Sequence, residues 1–367
     1  MPRILFAISA HGLGHLGQAA PVCNALRAQR PDLDLTLWSA LSPAVLHDRI
    51  DGTFEHITAP CDLGFVMHDA LHVDVPASWM QYRDREARWA EALEAACTTV
   101  RASQPDLIVS DVGDMPLAAG QRLGIPTIAM SSLNWADLAR HYFEAFPGSD
   151  AVLHRLDAIY ARTTLALRLT PGMPMHGQRE QILPPVGARS RFDRSELDAL
   201  LTRHLPYPNQ PRLLIGMGGI ETRLPHPHWP AQTEYNLIIA NQPDLAPDGD
   251  PGRGIVNADT LRQHDGLSFT DLVAASDVVV CKPGYGTFVE AALASRPMLY
   301  VCREDWPEQA VLVAWIQAYA RCLELSPDDL ATGRFRAACD ALLARPVPKP
   351  LPQDGATLAA QEILALL

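Results

Sequence analysis

Residues Val278 to Glu290 constrain the fold of this chain more than any other stretch. Val278, Val279, Val280 and Cys281 form a short apolar run, and Lys282, Pro283, Gly284, Tyr285 and Gly286 follow as a glycine-rich turn. Thr287, Phe288, Val289 and Glu290 then lead into an alanine-rich apolar segment. A β-branched run that ends in glycines before a helical pattern reads as strand, tight turn and helix. Such a turn presents backbone N–H groups at a helix N-terminus, where they can hold a phosphate. The chain is therefore expected to bind a nucleotide or another phosphorylated ligand.

The pattern around that motif is α/β. Arg3–Ser9 reads as a strand, Gly17–Arg30 as a helix and Leu33–Trp38 as a second strand. Ala77–Ser103 reads as one long helix, with Trp89, Leu93, Ala96, Cys97 and Val100 on one face. Asp106–Ser110 and Pro126–Met130 read as strands flanking the helix Pro116–Leu123. The pattern restarts at the strand Arg212–Gly216, followed by short strands at Tyr235–Ala240 and Gly254–Asn257. The helix Phe269–Ala275 precedes the opening motif, and the strand Pro297–Val301 and the helix Glu308–Tyr319 come after it. This alternation predicts two doubly wound parallel sheets, with ligands at the carboxyl ends of their strands. A length of 367 residues exceeds what one core usually fills. The boundaries drawn are 1–187 for an N-terminal Rossmann-like domain, 188–345 for a second one, and 346–367 for a proline-rich linker and a final helix, Ala356–Leu367. Ligand in a cleft between the two halves is the expectation.

Charge and composition narrow the partners. A net charge of −12 argues against nucleic acid or anionic membrane as the main partner. No apolar run reaches the length of a membrane span, and the first strand lacks the features of a signal peptide. Seven cysteines without a Cys-x-x-Cys pair fit reduced thiols, and the expected location is the cytoplasm. Asp32 with Asp34, Asp248 with Asp250, and His226 with His228 are the only metal-like spacings considered, and each lacks further ligands in register. No metal and no cofactor is expected.

Gly12, Gly14 and Gly17 match G-x-G-x-x-G after a strand. The next strand, however, ends at Trp38, Ser39 and Ala40 without the acidic residue that a dinucleotide ribose requires. The loop reads better as a surface on which glycines let the backbone approach a substrate. His15 follows the carboxyl end of the first strand, and histidine is the usual general base for a hydroxyl. The competing role for His15 is a local cap. His11 and Gly14 lie on the same loop and are assigned, with Asn134 and Trp135, to an acceptor side. Asp111 closes another strand, where it could orient a sugar hydroxyl or assist the histidine. Asp114 suits the N-cap of the following helix. In the second half, Gly218 and Gly219 can approach a pyrophosphate, and Lys282 adds a point charge. Thr287 and Glu290 match a capping box, which does not prevent Glu290 from holding ribose hydroxyls. Arg303 to Gln309 form a polar cluster at a strand end.

Taken together, the histidine-bearing glycine loop and the Gly284-Tyr285-Gly286-Thr287-x-x-Glu290 loop resemble those of GT-B glycosyltransferases, in particular family 28. The His11–Gly17 loop, Val109–Val112, Asn134-Trp135 and Lys282–Ala291 look still more like the glycosyltransferase-like N-terminal region of plant L-arabinokinases. The resemblance implies two facing Rossmann-like domains and transfer of a hexosyl or N-acetylhexosaminyl group from a nucleotide-sugar, expected to be UDP-linked, with inversion and without metal. It implies His15 as base, and Asp111 is taken with it as catalytic from its place at a strand end. It places Gly218 and Gly219 on the phosphate side, Glu290 on the ribose and Gln309 near the sugar; Lys282, Gly284, Gly286, Thr287 and Glu308 are assigned to the donor from their loops. A small-molecule or lipid-linked acceptor completes the reaction. The alternatives are hydrolysis of the nucleotide-sugar by water and a non-catalytic binding module. Pro283 departs from the small hydroxyl residue of the peptidoglycan enzyme, and the sugar kinase domain of the arabinokinases has no counterpart here.

Overall fold

Apolar β-branched runs in this chain become strands that are buried on both faces, as parallel sheets require. The structure, a computed structural model, describes residues 1–175, 179–220, 222–303, 305–348, 351 and 355–367. Among these, β1 (Arg3–Ile8), β2 (Asp34–Ser39), β3 (Glu55–Thr58), β4 (Leu107–Asp111), β5 (Thr127–Ser131), β6 (Leu165–Leu169) and β7 (Glu180–Leu183) form one sheet. Its order is β3-β2-β1-β4-β5-β6-β7, parallel throughout. A second parallel sheet contains β8 (Arg212–Gly216), β9 (Asn236–Ile239), β10 (Ile255–Asn257), β11 (Val278–Cys281), β12 (Met298–Tyr300) and β13 (Cys322–Glu324). Its order is β10-β9-β8-β11-β12-β13.

The chain divides into two compact units. One contains Met1–His68, Val73–Gly187 and Gln353–Leu367; the other contains Asp69–His72 and Ala188–Pro352. Within the first unit, the helix Gly14–Gln29 packs against the final helix Gly355–Leu364. Leu16, Ala19, Cys23 and Leu26 are buried on one, and Ala359, Ala360 and Ile363 on the other. Full burial of Leu16, Leu26 and Ile363 contributes about 1.5–3 kcal/mol each. Gly355 allows the close approach, because a Cβ there would stand 2.2 Å from the Pro184 carbonyl oxygen. In the second unit, Ala70 joins a core of Leu213, Ile215, Leu237, Val280 and Leu299. The Ala70 N–H donates to Thr222 Oγ1 at 2.9 Å.

Several elements differ from the sequence expectation. The long helix is two helices, Val75–Ala87 and Trp89–Ser103, broken at Arg88 (φ −114°, ψ 25°). The first packs on helices Trp135–Phe143 and Ser149–Ala161, and the second on Asp114–Leu123, so the two faces must turn toward different neighbours. The expected apolar face survives in the second, where Ala96, Cys97 and Val100 are buried and Trp89 and Leu93 partly so. β3, β6, β7 and β13 escaped the sequence reading. They are short, and β3 and β7 sit at sheet edges where few positions are buried. Of the expected features, Glu304 and the prolines Pro350 and Pro352 lie outside the described residues.

Candidate active site

In the first sheet, β1 and β4 are neighbours, yet the chain leaves β1 toward β2 and leaves β4 toward β5. This is a topological switch point, where the loops beyond the strand ends part and leave room for a ligand. Register aligns Ile8 with Asp111 at the ends of the two strands. Gly12 takes φ +82° in the loop after β1, and the helix Gly14–Gln29 begins at once. His15 is its second residue. His15 Nδ1 lies 2.9 Å from Asp111 Oδ1, and both side chains are buried. Burial pushes the Asp111 carboxyl up to about 6 from its ordinary 3.8, against the lowering pull of His15 and of the Ser131 hydroxyl. The nearby Asp62 charge adds to the rise.

The turn that aims Asp111 is strained. Val112 has φ +65°, a conformation that costs a β-branched residue about 1–3 kcal/mol. Tyr160 holds it: its hydroxyl donates to the Val112 carbonyl at 2.5 Å and accepts the Trp135 N–H at 3.2 Å. The Trp135 ring meets His15 edge-on at 5.7 Å and His11 at 5.4 Å between centroids. Its indole N–H donates to Asp62 Oδ2 at 2.8 Å. Burial raises the Asp62 carboxyl too, with Trp135 and Ser9 hydrogen bonds opposing the rise. Asp62 was not singled out in the sequence; the usable signal was a carboxylate just beyond a strand end, hidden because β3 itself was not recognised.

Two expectations change here. Asn134 and Trp135 do not present an acceptor face. Asn134 is the N-cap of Trp135–Phe143, accepting from the Asp137 N–H at 2.8 Å and donating to Pro174 O at 3.3 Å. Trp135 is wholly buried. Trp135 packs against both histidines. Asp114 likewise is not a cap: Gly113 holds the N-cap position, and Asp114 is a buried partner of Arg85 at 2.7 Å. Of the other acceptor-side residues, His11 sits half-buried in the loop, its N–H donating to Ser9 Oγ at 3.2 Å. At Gly14 a Cβ would meet nothing within 4 Å, so the loop is open there.

The second sheet repeats the arrangement. β8 and β11 are neighbours whose connections diverge, and Gly216 aligns with Cys281 at their carboxyl ends. Gly218 has φ +92°, and Asn241 Nδ2–H donates to its carbonyl at 2.9 Å. A Cβ on Gly218 would lie 3.2 Å from Lys282 Cε and 3.9 Å from Nζ, and one on Gly284 would also lie 3.9 Å from Nζ. The ammonium thus rests against both glycine turns. Burial pushes Lys282 down to about 7, helped by Arg303 and opposed by Glu308.

The helix after β11 is Tyr285–Leu293, with Gly284 as N-cap in extended conformation and no capping side chain. Thr287 is therefore its third residue, and the capping box expected of Thr287 and Glu290 does not form, because the glycine ends the loop three residues earlier. Glu290 lies in the second turn and is buried. Gly286 and Thr287 lie in the first turn, and Gly219 follows Gly218 in the loop after β8. Around Lys282, the Arg303 guanidinium stacks on Trp306 at 3.6 Å, and Trp306 Nε1–H donates to Glu308 Oε2 at 3.2 Å. Gln309 accepts the Arg303 N–H through its side-chain oxygen. Glu308 and Gln309 thus belong to the shell that holds Arg303.

Of the residues considered for metal, Asp32 pairs with Arg30 at 2.7 Å, Asp250 with Arg253 at 3.3 Å, and His226 faces Asp244 at 3.6 Å. No helix among the described residues is long and apolar enough to cross a membrane.

No protein-family model matches the chain. A curated relative, L-arabinokinase of Arabidopsis thaliana, is 24% identical over 346 residues. That match covers 91% of this chain but 31% of the relative, so the chain spans about a third of its length. Among solved structures, the calicheamicin glycosyltransferase CalG4 superposes with a TM-score of 0.62 at 18% identity, covering 100% of this chain and 98% of that one. The glycotransferase of kitacinnamycin gives 0.62 at 16%, covering 100% and 99%. SnogD from Streptomyces nogalater gives 0.58 at 16%, covering 100% and 99%. The two parallel-sheet units are those of the GT-B glycosyltransferase fold.

Proposed function

We propose that this chain transfers a glycosyl group from a nucleotide-sugar, UDP-linked, to a hydroxyl acceptor, with inversion at the anomeric carbon. The observation that carries the reading is the buried His15–Asp111 pair at 2.9 Å on the switch point of the first sheet. With Nδ1 turned to Asp111, proton transfer falls to His15 Nε2. The acceptor oxygen attacks the anomeric carbon as His15 takes its proton, and the bond from that carbon to the diphosphate oxygen breaks. The Asp111 carboxylate then faces the imidazolium that forms, which lowers the cost of moving the proton.

As the bond breaks, the departing diphosphate oxygen takes on one further negative charge, which groups of the second unit would stabilise. Lys282 lies against both glycine turns, and the N-terminal N–H groups of Tyr285–Leu293 add the positive end of a helix dipole. This set supports departure of the diphosphate on protein groups alone. Glu290, which does not cap its helix, is the acceptor proposed for the ribose hydroxyls. The glycosyltransferase neighbours and the arabinokinase relative are consistent with this assignment in fold.

The test is a thermal-shift panel of UDP-, GDP-, dTDP- and CMP-sugars, followed by nucleoside diphosphate release from the sugar that binds. A ligand at about 100 times its Kd adds roughly 2.7 kcal/mol to stability. Release that depends on an added hydroxyl acceptor supports transfer. Release in water alone makes the chain a hydrolase, and binding without release makes it a binding module.

A further inference from the structure

The first unit has a groove of about 610 Å³ that the proposed reaction does not use. Thr127 opens β5 and Thr164 immediately precedes β6, and both line it. The groove therefore lies at the amino ends of those strands, whereas His15 and Asp111 lie at carboxyl ends. Its volume falls in the range of about 300–1,000 Å³ common to small-molecule sites.

The lining charge is one-sided. Arg122, Arg155 and Arg162 line the groove and no carboxylate is among the lining residues; Glu86 neutralises Arg155, so Arg122 and Arg162 carry the charge open to a ligand. This stands against a chain charge of −12. Arg155 is fixed in place: two of its nitrogens bond the two Glu86 oxygens at 2.6 Å each, and its guanidinium lies 4.5 Å over the Trp89 ring. Arg122 is in the last turn of the helix Asp114–Leu123, and Arg162 is the C-cap of Ser149–Ala161. A cation at each helix end offsets the dipole there. That does not account for two helix ends and Arg155 converging on one concave surface. The floor is apolar: Trp89, Leu93 and Ile125 are only partly buried and pack on the core beneath.

We propose that this groove binds a small phosphate monoester carrying an apolar body. Guanidinium groups pair with phosphate oxygens through two parallel hydrogen bonds, which an ammonium cannot do. The half-exposed apolar floor would cover the organic part and so separate such an ester from inorganic phosphate.

Isothermal titration of the full chain with phenyl phosphate at low ionic strength tests this, with inorganic phosphate as the comparison. Saturable binding is expected, with inorganic phosphate weaker by about tenfold or more, since it buries no ring. Arg122→Gln with Arg162→Gln should weaken phenyl phosphate about tenfold or more. Ala158→Phe, which fills the groove without changing charge, should abolish binding. Arg122 and Arg162 are exposed, so an unchanged melting temperature certifies the double variant. Lys282→Met should leave the signal intact, which separates this groove from the proposed diphosphate site. Equal affinity for inorganic phosphate, full affinity in either groove variant, loss of binding in Lys282→Met, or no binding at millimolar ligand overturns the proposal.

Discussion

Replacing Asp111 with asparagine separates two effects that the wild-type carboxylate combines. Asparagine keeps the shape, and its side-chain oxygen can still accept the Nδ1–H of neutral His15. It has no charge to meet an imidazolium. Turnover should therefore fall by about 10²–10⁴, measured as nucleoside diphosphate release from whichever donor binds. The wild-type rate should also fall in acid as Asp111 gains its proton near pH 6.

Stability should move the other way. Burial raises Asp111 from 3.8 to about 6, so the folded protein holds this proton more tightly than the unfolded chain does. That contribution is fully present below pH 3.8 and is lost as pH rises through about 6. At about 1.4 kcal/mol for each tenfold change in proton affinity, the rise is worth about 3 kcal/mol. Urea unfolding of wild type and variant at pH 4 to pH 7 reads it directly. The wild type should lose stability relative to Asp111→Asn across that window by up to this amount. Parallel curves, or a variant with full turnover, would refute the account of Asp111 as a buried carboxylate held ionised for His15.

Three further outcomes follow from the geometry. His15→Ala should cut turnover by about 10²–10⁴ while nucleotide affinity, read by calorimetry, stays nearly unchanged. Lys282→Met should weaken donor binding about tenfold or more, the scale of a lost charged hydrogen bond; wild-type affinity should itself fall as pH rises through about 7, where Lys282 loses its proton. Glu290→Gln should weaken nucleotide binding by about 1.5–3 kcal/mol through lost ribose contacts. Since Glu290 does not cap its helix, a lower melting temperature with unchanged affinity would instead assign it a structural role.

The strand and turn of residues 278–286 were legible because β-branched residues and glycines each have few conformations to choose from. Where the helix begins was less so. Thr287-x-x-Glu290 satisfies a capping pattern, but Gly284 adopts the extended cap conformation first, and backbone geometry overrode the side-chain signature. The nearness of His15 and Asp111 was suggested only by their both lying at the carboxyl-end side of strands in a doubly wound order. Ninety-six residues separate them, and register between β1 and β4 brings them together. Trp135 and Asn134 look like ligand-binding types in sequence, and burial turned them into supports. Asp62 was hidden altogether, because its role depends on Trp135 reaching it from another strand end.

The proposed chemistry assigns proton handling to one unit and charge on the diphosphate to the other. This makes a demand on a double variant. His15 belongs to the unit containing Met1–His68, and Lys282 to the one containing Ala188–Pro352. Two residues that act on different groups should contribute nearly independently, within about 0.5 kcal/mol. His15→Ala should lower kcat, Lys282→Met should lower donor affinity, and the double variant should show both losses, multiplied. Lys282 also faces the leaving group, so some loss of kcat in that variant alone is compatible with the scheme; the product rule is still expected to hold. A coupling energy well above that limit would mean that both side chains act on the same group, and the division between base and diphosphate site would have to be abandoned.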